Sequence, residues 1–198
     1  MTFVNQAAFN DPNSRRMAMG VDFRTSKAIT DPKGQVLAYA QTGGMMNPTR
    51  FEMHPGTIVF RFGSAAARVE GVRKGAWWIE KREFEKLLSF AQVWGIGVGM
   101  AMRALCLVPP EWSEATLLIR ARVTDPLLAW RGLADSVVTP GPAGRVVSMP
   151  HHNEISARRL YQLFVPGMAD LPGIKPGLRV EQDYPLDARE SLRGFIYT

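Results

Sequence analysis

FRFGSAAARVEGVRKGAWWIEKREFEKLLSFA, Phe60 to Ala91, decides how the rest of the chain is read. It passes from a short strand through a loop of small residues to two adjacent tryptophans and then an amphipathic helix. The strand, Thr57 to Phe62, is rich in β-branched and aromatic residues. Alternation puts Ile58, Phe60 and Phe62 on one face and Thr57, Val59 and Arg61 on the other. A charge in an apolar strand costs desolvation energy unless something engages it. Arg61 can snorkel, pair with a carboxylate inside the fold, or clamp a phosphate with its planar fork. In an extended Trp77-Trp78 the rings point to opposite sides, so one enters the core while the other lines a cleft and can stack on a flat ring. Gly75 before them points to a close backbone approach or a special turn. From Glu80 to Trp94, Phe84, Leu87, Leu88, Ala91 and Trp94 fall on one helical face, and Gly95 closes the helix.

Upstream, residues 1–20 read as a lead-in arm, and Asp31-Pro32-Lys33-Gly34 as a tight turn whose return strand is Gln35 to Ala40. Met45 to His54 reads as loop or irregular chain. Downstream come a buried helix over Met100 to Leu107, stopped by Pro109-Pro110, and a half-buried strand ending at Val123. A short apolar run follows from Leu127 to Arg131. Residues 139–144, TPGPAG, form a loop, and Arg145 to Met149 and Leu160 to Val165 read as short strands. The tail from Pro172 packs on the surface or adds one edge strand at Gly194 to Tyr197. The chain thus divides into an arm (1–20), a core (21–167) and a surface-packed tail (168–198).

With 198 residues, 46% apolar and 21% charged, the composition is that of one folded domain with a sizeable core. Eighteen glycines and fourteen prolines break it into short elements. The fold class expected is α+β: a single compact domain of small mixed or antiparallel sheets with a few helices. The net charge of +6 permits an acidic partner, but the basic residues occur in short pairs and form no long tract. Cys106 is alone, which excludes an intramolecular disulfide and a cysteine metal cluster and suits a reducing cytoplasm. The N-terminus lacks the pattern of a secretory signal. The most apolar run, Val93 to Pro110, is interrupted by Arg103 and three glycines, so no transmembrane segment and no membrane partner are expected.

Further candidate chemistry is scattered. Glu111, Ser113 and Glu114 offer either helix capping or a general base and hydroxyl orienter. Gln162 sits in an apolar strand and its amide needs partners, either backbone or ligand. His151-His152 with Glu154 is too sparse for a metal site, so no metal is expected. Gly95 to Gly99 lacks the Lys-Ser/Thr of a phosphate loop and follows a helix.

The order of strand arginine, small-residue loop, Gly-x-Trp-Trp and helix resembles the N-terminal half of ADP-ribosyltransferase-like folds. The matching pieces are FRFGS with Arg61 and Ser64, GAWWI with Trp77 and Trp78, and EFEKLLSFA, with TLLIRARV and LYQLFVPG as later strands, over about residues 57–167. The resemblance implies NAD as substrate, with Arg61 and Ser64 at its phosphates and an aromatic of Trp77-Trp78 beside the nicotinamide. It also implies a late carboxylate orienting the ribose. Gln162 stands where that acid is sought, the Ser-Thr-Ser pattern is missing, and Glu114 and Glu154 are the substitutes. The implied activity is ADP-ribosyltransferase or NAD glycohydrolase of bacterial toxin or effector type. A protein or nucleic-acid acceptor and an inhibitory partner protein would go with it, in the cytoplasm or in a target cell reached without a signal peptide. Two other readings stand beside it. One is a non-enzymatic protein-interaction or phage/secretion accessory module. The other is a nucleic-acid-binding domain using Arg120, Arg122 and Arg131 with Trp130 interleaved.

Overall fold

Two short helices open the chain, α1 (Gln6–Phe9) and α2 (Ser14–Ala18), followed by a hairpin of β1 (Ala28–Thr30) and β2 (Val36–Tyr39). Next come β3 (Gln41–Thr42), β4 (Met45–Met53) and β5 (Ile58–Gly63). Then α3 (Arg68–Arg73) leads to β6 (Trp77–Glu80), which runs straight into α4 (Lys81–Trp94) and on to α5 (Val98–Cys106). The chain closes with β7 (Leu117–Val123), β8 (Leu127–Ala134), β9 (Val137–Pro140), β10 (Val146–Met149), β11 (Tyr161–Phe164) and β12 (Leu178–Pro185). This is a computed structural model, and the residues it describes are 2–20, 28–151, 158–169, 177–193 and 195.

Seven strands pair in the order β12-β7-β5-β6-β11-β8-β4, each pairing antiparallel. A three-stranded sheet β10-β9-β3 and the β1-β2 hairpin are separate. The fold is α+β with small antiparallel sheets, a few helices and no closed barrel among the described residues, as the sequence predicts.

The join at the centre of the large sheet is narrow. β6 meets β5 only at Val59↔Glu80 and Phe60↔Ile79, and meets β11 only at Leu163↔Trp78 and Phe164↔Trp77. The two halves are therefore hinged on one four-residue strand. Alternation then builds two cores. Val59, Trp78, Ile119, Ala121, Leu127 and Leu163 pack between the halves of the sheet. Phe60, Ile79 and Leu118, their neighbours pointing the other way, pack under Phe84, Leu87, Met102 and Leu105 of the two long helices. Phe60 and Phe84 stack with centroids 4.0 Å apart. Helix α4 ends as its glycine dictates: Gly95 is left-handed (φ 60°), and Ile96 N–H reaches Ala91 O.

Four expectations need correcting. Met45 to Met53 is a nine-residue strand on β8, not a loop. A bulge between Met46 and Thr49, with Asn47 at φ 44°, takes Pro48 out of the ladder and hides the alternation. Second, the described tail contributes its edge strand at Leu178–Pro185, earlier than anticipated, while Gly194 and residues 196–198 lie outside the described residues. Third, Leu88 and Trp94 are exposed, and the inward position between the apolar turns of α4 belongs to Glu83 instead. Glu83 is tolerable there because it accepts from Lys86 Nζ and Tyr161 N–H and lies 3.6 Å from Arg131. Fourth, the apolar run at Leu127 continues to Ala134, since Gly132 is crowded by Met45 and stays in the sheet.

The first twenty residues are fastened to the sheet. Phe9 stacks on Trp130 at 4.5 Å, and Trp130 Nε1–H donates to Ser14 Oγ. Buried Asn5 donates to Leu128 O and Pro166 O and accepts from Leu128 N–H. At the opposite edge Glu181 of β12 accepts from Arg120 and Arg122 of β7.

Asn5→Ala strands a buried N–H and two carbonyls, and costs about 1–3 kcal/mol in urea unfolding. Glu181→Gln tests the edge strand. The Arg122 hydrogen bond, with Arg120 nearby, holds the Glu181 carboxyl below its usual range. A depressed folded pKa contributes stability above the unfolded value and loses it as pH falls. The wild type should therefore exceed the variant in melting temperature near pH 7, and the difference should vanish as falling pH protonates the Glu181 carboxyl.

Candidate functional site

After Phe60↔Ile79 the β5–β6 ladder stops, and β5 continues on β7 alone through Arg61↔Ile119 to Gly63↔Leu117. Arg61 is the first residue past that last rung, on the edge facing the gap. Its side chain crosses the gap: Nε donates to Val72 O and Nη1 to Trp77 O, each at 2.6 Å. Val72 O, near the end of α3, also accepts from Gly75 N–H at 3.1 Å, and Trp77 O lies on the side of β6 that β5 has left. Burial pushes the guanidinium down to about 10, still fully charged at neutral pH. Among the described residues no carboxylate pairs with it, and its Nη2 donates to none of them.

Gly75 makes this seat possible. A Cβ there would lie 1.7 Å from Arg61 Nη2 and 2.0 Å from Cζ. The close approach expected of Gly75 is thus to the arginine. Gly75 also supplies the carbonyl that accepts Trp78 Nε1–H at 2.9 Å.

Arg61, Ser64, Trp77, Trp78 and Gln162 line one cleft of about 890 Å³. The tryptophans divide as the extended geometry predicts: Trp78 is 1% exposed in the core between the sheet halves, and Trp77 is half-buried, edge-on to Phe164. Ser64 caps the turn that follows β5, accepting from Ala66 N–H, and donates to Glu114 Oε2 at 2.5 Å. Glu114 itself is exposed and is not among the residues that line the cleft; it is tied to the cleft only through Ser64. Gln162 donates through Nε2 to Cys106 O at 3.2 Å, the backbone partner that a buried amide requires. It is neutral and cannot replace a carboxylate. Cys106 also lines the cleft, but burial and the Glu83 charge push its thiol up to about 12, which excludes it as a nucleophile near neutrality.

Several lining residues had no part in the sequence argument. Met17, Gly20 and Gly44 bring the N-terminal segment to the rim, and Met102 comes from α5. Trp112 stands at the mouth, 44% exposed. The clue available was the Pro109-Pro110 pair, which sets the turn that carries it.

The remaining candidates lie elsewhere. Glu154 and His152 fall outside the described residues. His151 meets Ser136 Oγ at 2.7 Å, His54 is exposed, and no three metal-ligating side chains cluster among the described residues. Glu111 sits in an exposed single turn. Arg120 and Arg122 share Glu181, and Arg131 bonds Glu80 at 3.0 Å under Tyr161. Arg131 is thus paired within the fold, Arg120 and Arg122 share a single carboxylate, and Trp130 lies against Phe9. No single helix among the described residues is long and apolar enough to cross a membrane.

Set together, a cation with donors to spare, aromatic walls, a side-chain amide and a Ser–Glu pair suit a ligand that joins an anionic group to a flat ring. Comparison adds little. No family model and no curated protein matches the chain. Among solved structures it is similar to Rhs1-CT in complex with its cognate immunity protein RhsI1, at 13% identity and a TM-score of 0.41, over 71% of this chain and 83% of that one.

Gly75→Ala must eject the guanidinium from its two carbonyls. The expected result is about 1–3 kcal/mol lost in chemical denaturation, with anion affinity falling as far as in Arg61→Ala. Denaturant midpoints and pyrophosphate titration check the two parts separately.

Proposed function

We propose that the cleft binds NAD and that the protein is an ADP-ribosyltransferase or NAD glycohydrolase of toxin or effector type. One observation carries the reading. Arg61, charged and seated on two carbonyls, shares a single cleft with Ser64, Trp77, Trp78 and Gln162. An arginine fork with free N–H donors suits the pyrophosphate, and half-buried Trp77 beside it suits the nicotinamide ring.

In this reading the nicotinamide–ribose bond breaks first and the electron pair leaves with nicotinamide. Positive charge then develops on the ribose, where a fixed carboxylate stabilises it. Glu114 does not line the cleft itself, but it is the described carboxylate bonded to a lining residue, Ser64, and this reading assigns it that role. Water or an acceptor side chain or nucleic-acid group adds to the anomeric carbon and gives up its proton. The toxin or effector setting, and an inhibitory partner protein with it, rest on the family resemblance alone.

A second reading, a protein-interaction module, draws on the exposed Leu88, Val93 and Trp94 at the end of α4. It expects a mass that grows with concentration in light scattering and no ligand effect.

NAD should raise the melting temperature of the full chain, and incubation should release nicotinamide, measured by chromatography. Arg61→Ala should weaken binding about tenfold or more. Glu114→Gln should cut nicotinamide release about a hundredfold while leaving affinity nearly unchanged. The reading is overturned if the wild type shows no thermal shift with NAD and releases no nicotinamide.

A further inference from the structure

We infer that Trp112 is a ring-stacking platform of the cleft and takes the ligand's second flat ring, which in NAD is the adenine. This rests on the NAD reading for the first ring, placed at Trp77.

Trp112 is exposed, yet its backbone is tied on both sides. It is 44% exposed, and a large ring left in water offers apolar area that a ligand can cover. Its backbone is locked from both sides. Trp112 N–H donates to Pro109 O at 3.1 Å, and the next residue, Ser113, gives its carbonyl to Arg103 Nη2 at 2.7 Å. Arg103 is itself fully buried in α5 and also donates to Ser191 O at 2.8 Å. The ring is set against the chain at Gly43, where a side chain would meet its Cζ3 and Cη2 at about 3.5 Å. A preorganised aromatic loses little freedom on binding, which is what a stacking platform requires.

Its position separates it from Trp77. Trp77 comes from β6 and leans on Phe164, whereas Trp112 comes from the turn before β7 and lies by Gly43 and Val137. Both line the same cleft, and so does Arg61. A ligand with one ring, an anionic linker and a second ring can use all three. A nicotinamide mononucleotide can use only the inner two. Stacking tolerates any base, so the platform supplies affinity for a purine and the rest of the cleft supplies selectivity.

Calorimetric titration of the full chain with NAD, AMP and nicotinamide mononucleotide tests this, in wild type, Trp112→Ala and Trp112→Phe. Trp112→Ala should weaken NAD and AMP by about tenfold, leave the mononucleotide within about twofold, and regain most of the loss in Trp112→Phe. Equal weakening of all three ligands would mean that Trp112 only shapes the cleft, and the inference falls. Unchanged NAD and AMP affinity in Trp112→Ala overturns it while the NAD reading survives. AMP binding that depends on Trp112, with no nicotinamide released by the wild type, keeps the platform and removes the enzymatic reading. A wild type that binds neither NAD nor AMP removes both.

Discussion

Everything around the cleft depends on Arg61 spanning the place where β5 and β6 part. A sheet that stops pairing leaves carbonyls without donors, and such groups are costly inside a fold. Here one guanidinium serves Trp77 O at the parted edge and shares Val72 O with Gly75 N–H, and so holds α3 to β6 beside the cleft. Water does not have to fill the gap, and the cation is oriented without a carboxylate to neutralise it. The structural and ligand-binding readings of Arg61 are therefore compatible: Nε and Nη1 hold α3 and β6 while the residue still lines the cleft.

How much of this could be read beforehand depended on whether the cause was local. The face of Arg61, the split of Trp77 from Trp78 and the Gly95 stop follow from periodicities of two and 3.6 residues, and they appear as expected. The bulge at Asn47 and Pro48 erased the same signal in β4, since one displaced residue reverses the facing of all that follow. Nothing in the sequence marks Glu83 as buried, because its partners Arg131 and Tyr161 come from two other strands and Lys86 from its own helix. Gly75 was flagged for its backbone, but the crowding atoms belong to a side chain fourteen residues earlier, which no local rule locates.

For the site, the residues picked from the opening stretch meet in one cleft, and those picked from composition do not. The arginines that give β7 a basic look share one carboxylate, Glu181, a residue in the tail. Trp112 was passed over because a tryptophan in a proline-led turn carries no period. Its importance comes from Arg103, buried in the following sense: α5 hides a full charge in order to fix two turns of chain at once.

The seat of Arg61 and the walls of the cleft are built on different length scales. The seat closes over separations of eleven and sixteen residues. The walls need Met17 and Gly20 together with Gln162 and Phe164, nearly the whole chain apart. Short loops close early and cheaply, whereas contacts of this span come late in folding. A nascent chain halted before β11 can hold its arginine in place with no enclosed volume around it. The cavity is then a property that arrives with the final pairing of β11 against β6 and β8, all at once.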